Sequence, residues 1–571
     1  MKKLTTLVFI ILIVNSFSQS DTTTSQGGES SVISTVQSWI KISGEAGTYG
    51  EVYSISGMSS RRPPTTGRIF IRPVLTILDN FNLAFDFFLS TEGSAAKQQM
   101  DQIGIHPAWS WGQAHIGDFS QDFSRYTLSG ITIRGGGFEI NPGIFRLQIV
   151  GGQSQRMVDN GPYESAYARY LVGMKIGIGK SESSFFDINI VRSRDDLSSI
   201  SRDKFMSFQK DSVQVDSGYI SKVDTIYSGV TPQENLIVGT NFQLKLFSGM
   251  IQLRGEAAGS VYTKDMYSQN FKIEKMPEIV GEIYTAKLSS NLDYAYNADL
   301  IFQERTVNAK IGYRLIGPGY TSLGLPSLIN DKKIIDGGLG LNLFQGTLII
   351  QTKYGRQTDN VVKQKLFTIT RNEFAVTTSI RPAREVMLTV NFVNNSFEND
   401  NTNDTLKLSN LNNAYNFTGT YQFALFNLNH IVLASYAYQV YKDKNILRLN
   451  NNVNSQNVMI NFSTMISQDW TVSTGFQLNT VSVQTQNNST LGLSARVTNK
   501  MFSNRLNNSL SYSFNSSSAS TSNNFQIQSM FSLDQSNSIA LSVRTNIFSG
   551  KAPMKYNFVE NVGSLAYTYR F

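Results

Sequence analysis

The feature that most constrains this chain is alternation of period two. In Phe81-Asn82-Leu83-Ala84-Phe85-Asp86-Phe87-Phe88-Leu89 every odd position is apolar. Val307, Ala309, Ile311, Tyr313 and Leu315 alternate with Asn308, Lys310, Gly312 and Arg314. Phe525 and Ile527 alternate with Gln526 and Gln528, and the pattern resumes at Ile539, Leu541 and Val543. Successive side chains of a strand point to opposite faces, so such segments place one face in an apolar medium and the other in a polar one.

Segment length decides which apolar medium. Strands of soluble sandwiches run to about five or six residues. Here runs of about 9–13 residues recur, the length a tilted strand needs to cross a bilayer. The connections come in two kinds. Ser467-Gln468-Asp469, Asp534 to Asn537 and Leu343 to Gly346 are short, whereas Ser396 to Leu406, Asn515 to Asn524 and Gly550 to Asn561 read as long polar loops. Short turns at one end and longer loops at the other predict an all-β fold, a single large antiparallel transmembrane β-barrel.

The alternating segments number about 24–26. The least regular region lies before residue 127, where one of the first five candidates, 36–46, 48–57, 66–77, 81–91 and 108–119, is expected to be a loop or half of a longer strand; the next candidate is 127–138. Composition fits a one-sided sheet: 40% of the 571 residues are hydrophobic, with 36 Phe, 25 Tyr and no Cys. The missing thiols exclude a disulfide scaffold, a thiolate metal site and a Cys nucleophile.

Residues 1–18 read as a signal peptide. Lys2 and Lys3 precede the apolar run Leu7 to Val14, and Ser16-Phe17-Ser18 offers small residues for cleavage before Gln19. Residues 19–35 form a Ser/Thr/Gly-rich tail, expected to be a flexible periplasmic linker. The barrel is expected over 36–571, interrupted at about 193–235 by an extracellular insertion that either stays solvated or folds over the pore. That assignment puts both termini in the periplasm.

The last segment is the most specific. Leu565, Tyr567, Tyr569 and Phe571 alternate with Ser564, Ala566, Thr568 and Arg570 and end at the terminal residue. Here the chain resembles outer-membrane β-barrel proteins of Gram-negative bacteria, a class-level resemblance resting on the signal peptide, the alternation and the terminal Phe. The resemblance implies that Leu565, Tyr567, Tyr569 and Phe571 form the signal read by the barrel-assembly machinery, and that outer-membrane lipids surround the barrel.

Little catalytic chemistry is present. His115 near Asp118 and Ser120 is the one hydrolase candidate, and an ordinary strand end whose polar residues face water is the favoured account of it. His430 has no acidic neighbour in sequence. Glu398, Asp400, Asn401, Asn403 and Asp404 crowd one loop with oxygens that calcium favours, but lack the glycine and closing Glu of an EF-hand. No enzyme activity, cofactor or metal is therefore expected. The net charge of +8 comes without a clustered basic motif, so nucleic acid is not an expected partner.

Alternation places Arg146, Lys175, Lys310 and Arg314 on the lumen side, with Asp86 and Asp187 as acidic exceptions. A basic excess there would attract anionic solutes, and the competing explanation is an internal charge network bracing the barrel. The expected function is a transport or export conduit with a basic-leaning lumen, closed by a loop or a partner. The alternative is a barrel scaffold of an outer-membrane secretion, motility or assembly complex. A hydrolase is a distant third.

Overall fold

The computed structural model describes residues 39–92, 101–215, 218–227, 229–271, 281, 283–447, 451–484, 486–551 and 556–571. The expected signal peptide at 1–18 and tail at 19–35 lie outside these residues.

The chain runs through β1 (Ile40–Ser56), β2 (Thr65–Ile77), β3 (Phe81–Ser90), β4 (Gln102–Trp109), β5 (Gly112–Ser120), β6 (Thr132–Ile140), β7 (Phe145–Gln155), β8 (Arg169–Gly179) and β9 (Phe185–Asp195). It continues with β10 (Met206–Val215), β11 (Gly218–Tyr227), β12 (Glu234–Leu246), β13 (Ile251–Thr263), β14 (Ser290–Gln303), β15 (Val307–Ile316), β16 (Lys332–Leu343), β17 (Leu348–Thr358) and β18 (Ile369–Ala383). The last ten are β19 (Val386–Asn399), β20 (Ser409–Leu425), β21 (Leu428–Asp443), β22 (Val453–Met465), β23 (Trp470–Val483), β24 (Gln486–Met501), β25 (Leu506–Ser517), β26 (Ser520–Ser532), β27 (Asn537–Gly550) and β28 (Asn557–Arg570).

Twenty-six of these strands form one antiparallel sheet, and β28 pairs back onto β1 with Glu45 opposite Arg570 and Thr48 opposite Tyr567. The sheet is a closed barrel, which leaves no unpaired edge. Strands about 4.8 Å apart and tilted about 40° give such a barrel a diameter of about 50 Å. Among the described residues β10 and β11 pair only with each other, and β9 pairs directly with β12 across that excursion. The outer faces carry exposed Leu510, Ile527, Leu541, Val543 and Leu565, with Ser511, Gln526, Ser542 and Ser564 between them on the inner faces.

The strand count falls within the expected range, but its first third is redistributed. Segments 36–46 and 48–57 are a single 17-residue strand, β1. Gly47 does not break it: the glycine sits where a Cβ would come 2.6 Å from the Phe70 ring, so the strand continues through a close approach. Conversely, the segment 108–119 spans the tight β4–β5 turn at Ser110 and Trp111, and β4 itself is a separate strand containing Pro107. The segment 127–138 begins too early, because β6 starts at Thr132 and the preceding residues belong to a loop that turns at Gly130 with φ +70°. The expected long loop at 515–524 is strand, with only Ser518 and Ala519 between β25 and β26.

One end of the barrel carries short turns throughout. At several of them a large apolar residue adopts a left-handed conformation: Leu78, Phe247, Phe344, Phe426 and Phe502 all have positive φ and are all exposed. Aromatic side chains rarely occupy that region, which costs about 1 kcal/mol or more for a residue with a Cβ. The other end carries the longer connections, and several of these turn inward.

Candidate functional site

The 121–131 connection between β5 and β6 folds into the barrel. Phe123 and Leu128 are buried against Ile133, Val150, Leu171 and Val191 on the inner faces of β6, β7, β8 and β9. Three residues along, Tyr126 is buried with Ile237, Ala258, Ala295 and Ile316 on β12 to β15. One loop thus covers the inner faces of eight successive wall strands. Apolar burial of this kind is what holds a loop inside an aqueous lumen, at roughly 25 cal/mol per Å².

A second connection, 317–331 between β15 and β16, clamps the first. The Tyr320 hydroxyl donates to the Tyr126 carbonyl at 2.7 Å, and the Ser322 hydroxyl donates to the Thr127 carbonyl at 2.7 Å. The Asn235 side-chain carbonyl on β12 accepts from the backbone N–H of Leu323 at 3.1 Å. Arg125 meets Glu256 of β13, with Nε 3.2 Å from Oε1, while its backbone N–H donates to Oε2 at 3.1 Å. Gly239 and Gly324 leave room for Thr127, whose methyl and carbonyl lie 3.0 and 2.7 Å from where their Cβ atoms would stand. Burial pushes the Tyr126 and Tyr320 hydroxyls upward from their ordinary pKa, so both are neutral, and Tyr320 acts as a hydrogen-bond donor.

Sequence reasoning missed this inward loop. Its signal was present in Phe123, Tyr126 and Leu128, apolar residues interspersed with Ser124, Arg125, Thr127 and Ser129, but the last few were absorbed into an overlong strand. The insertion at 193–235 is built differently. It begins within β9 and ends within β12, and carries the β10–β11 hairpin as a separate two-stranded sheet. At its root Ile200 and Phe205 pack against Tyr167 of the 156–168 connection.

The charged candidates stand as follows. Asp187 is fully buried, 2.8 Å from Arg146 and 3.9 Å from Lys175, and also accepts from Asn241 at 3.3 Å. Lys310 bridges Asp299 at 3.2 Å and Asp336 at 3.3 Å. Asp86 is 3.0 Å from Arg72, which also reaches Glu45 at 3.3 Å. Arg314 lies opposite Ile334 across β15 and β16, on a groove of the inner wall, and forms no ion pair with a described carboxylate.

These charges occupy one arc of the wall. From β19 to β26 the inward positions are Asn, Ser, Thr, Gln and small or apolar residues. Among the described residues their charge is limited to Arg496 and to Asp443 and Lys500 at strand ends. The 121–131 and 317–331 connections thus line the β6–β15 part of the charged arc, and among the described residues neither is buried against β19 to β26.

The hydrolase candidate does not assemble. His115 faces the lumen, its Nδ1 3.0 Å from Nδ1 of His106, with its ring stacked on Phe119. Asp118 projects from the opposite face, where Arg134 approaches its carboxylate to 2.6 Å, and Ser120 lies on that face too. His430 is stacked between Phe423 and Phe462 and bonded to Thr464 and the Leu425 carbonyl. In the acidic loop, Asp400 accepts from the Thr368 backbone and Asn403 from Thr405, and among the described residues no three His, Asp or Glu side chains gather to hold a metal.

The terminal strand lies in the barrel seam. Phe571 exchanges backbone hydrogen bonds with Gly44, at 2.8 and 3.1 Å. Leu565 and Tyr567 are exposed on the outer face, the Tyr567 hydroxyl donates to Asn537 at 2.6 Å, and the Tyr569 and Phe571 rings lie 5.5 Å apart.

No family model and no curated relative matches the chain. Among solved structures it is similar to OccAB2 of Acinetobacter baumannii, at 10% identity over 68% of this chain and 98% of that one, with a TM-score of 0.31. It is similar to OccK1 (OpdK) of Pseudomonas aeruginosa at 12% identity over 69% and 100%, with a TM-score of 0.30. The translocation pore of the P pilus usher PapC matches at 10% identity over 93% of this chain and 99% of that one, with a TM-score of 0.35. At these scores nothing about the lumen carries over.

Proposed function

We propose that this chain is a conduit in the outer membrane of a Gram-negative cell, partly occluded by its own inward-folded loops. The observation that carries the reading is the seating of 121–131 against the inner wall beneath the 317–331 clamp. A barrel of 26 strands encloses far more space than side chains can fill. One loop pair covers an arc of eight strands and narrows the lumen without spanning it. The remaining passage is bounded on one side by paired charges and on the other by the neutral β19–β26 wall. In this reading the short-turn end faces the periplasm and the long-connection end faces outward, as in bacterial barrels generally. The barrel-assembly machinery reads Leu565, Tyr567, Tyr569 and Phe571.

Solute flux tests the proposal. Liposomes containing the purified chain are expected to swell in isosmotic solutions of small solutes, with a size limit that rises when 121–131 is replaced by a short Gly/Ser turn. Liposomes that stay tight in both cases would oppose it.

A specific observation favours a second reading. The β10–β11 ribbon pairs with no wall strand, which suits a barrel that scaffolds an outer-membrane complex. Stoichiometric partners retained on purification from native membrane, and lost when the ribbon is removed, would favour the scaffold.

A further inference from the structure

Two of the chain's three histidines meet on the lumen face. The β4–β5 hairpin turns at Ser110 and Trp111, and its ladder pairs Ile105 with Ile116 and Ala108 with Gln113. That register sets His106 directly opposite His115. The next residues along the same row are Ala84 on β3 and Gly137 on β6, so nothing longer than a methyl group flanks the pair. The rings lie close against the wall. A Cβ at Gly104 would stand 2.6 Å from His106 Nε2, and one at Gly137 would stand 3.4 Å from His115 Cδ2.

The two Nδ1 atoms are 3.0 Å apart, and one donates its proton to the other. An imidazole nitrogen binds a late first-row metal at about 2.0–2.1 Å, so two nitrogens at this separation subtend about 90–95° at a shared ion. That is the angle between neighbouring ligands of tetragonal Cu²⁺ or Ni²⁺. To bind, the donor ring need only carry its proton on Nε2 instead, which frees both Nδ1 lone pairs without loss of a proton. The ring of His115 is already held in place. It stacks on Phe119 with centres 4.9 Å apart and planes 7° apart, and Phe119 is buried with Phe123 and Leu128. A ligand fixed in this way has little ordering left to undergo on binding.

We infer that His106 and His115 form a binding site for a late first-row divalent metal ion, Cu²⁺ or Ni²⁺, open to the lumen. The carboxylates nearby are engaged elsewhere. Asp86 is 3.0 Å from Arg72, and Glu139 accepts from Gln113 and Gln121, each at 3.0 Å, and from Asn141 at 2.8 Å. Their charge favours a cation in this recess, while the protein ligands are the two imidazoles and lumen water takes the remaining positions. Two nitrogens without a free carboxylate disfavour Mg²⁺ and Ca²⁺, which take oxygen ligands.

Untagged wild-type protein in detergent at about pH 7.5, above the ordinary histidine range, is titrated calorimetrically with nickel chloride and with magnesium chloride. Nickel is expected to bind and magnesium is not. H106Q and H115Q are each expected to weaken nickel by about tenfold or more, since losing a ligand costs at least as much as losing its support. H430Q, which alters the histidine stacked between Phe423 and Phe462, is expected to leave it unchanged. Nickel binding to wild type is also expected to fall away at about pH 5, because a protonated imidazole cannot ligate, and this readout needs no variant. Absence of saturable nickel binding, binding as tight in H106Q and H115Q as in wild type, or binding undiminished at about pH 5 would overturn the site. Calorimetry reads binding whether or not the barrel conducts, so failure of the metal site is separable from failure of the conduit.

Discussion

The hydroxyl of Tyr320 donates to the backbone carbonyl of Tyr126 at 2.7 Å, tying together two connections 194 residues apart in sequence. The bond lies inside the barrel, where Tyr126 and Tyr320 are both almost inaccessible to solvent. It makes the 317–331 connection a clamp on the 121–131 loop. Tyr320→Phe keeps the packing and removes the donor, leaving a buried carbonyl unsatisfied at a cost of about 1–3 kcal/mol. The variant is expected to show larger and noisier single-channel currents than wild type, and faster proteolysis within 121–131.

Asp187 holds Arg146 and Lys175 together at the base of the charged arc. Asp187→Ala would strand two cations in a buried site, with a loss of about 3–5 kcal/mol. The temperature at which the folded gel band converts to the unfolded one should fall well below wild type. Asp187→Asn, which keeps the hydrogen bond to Arg146, should fall less.

The clamp is anchored at its end by Asp331, which accepts from the Val361 backbone at 2.8 Å and pairs with Lys365. Burial pushes the Asp331 carboxyl upward, but hydrogen bonding from Lys365 and from the Val361 and Asn360 backbone outweighs it and holds the group below its ordinary value. A depressed carboxylate contributes stability above its unfolded pKa, near 3.9, and loses it as pH falls through the folded value. Lys365 is raised, chiefly by its hydrogen bond to Asp331. Its share is present below about pH 10 and lost above the folded value. Amide exchange in 317–331 is therefore expected to keep its protection, after correction for intrinsic rates, from about pH 5 to 9 and to lose it below about pH 4. Asp331→Asn should flatten the acid limb.

Phe426 is 86% exposed and holds a left-handed backbone in the β20–β21 turn, beside Asn427 in the same region. Asn tolerates that conformation and Phe does not. Phe426→Asn is expected to raise stability in detergent by about 1 kcal/mol, measured by thermal unfolding. A loss instead would mean that the phenyl ring contributes more than its strain costs.

The barrel was legible in sequence because lipid on one face and water on the other write themselves as alternation, and the effect is strongest in strands such as β15 and β27. It failed where that rule does not apply. Gly47 carries no apolar mark to continue β1, and β4 contains Pro107, which sits where the β4–β5 ladder is interrupted between Ile105 and Ala108. Leu128 in the segment 127–138 is apolar because it is buried with Ile131 and Ile133 inside the barrel, not because it faces lipid. The ion pairs of Asp187 and Lys310 join residues distant in sequence, so alternation could assign them a face but no partner. The clamp of Tyr320 on Tyr126 depends on barrel closure and had no local signature.

Planar-bilayer conductance of the wild-type chain beside a variant with 121–131 replaced by a short Gly/Ser turn tests the central claim most directly. The account predicts a steady, measurable current from wild type and a several-fold larger one from the loop variant, whose lumen regains the arc covered by Phe123, Tyr126 and Leu128. Folded barrels that are silent in both forms, or that conduct equally, would contradict it.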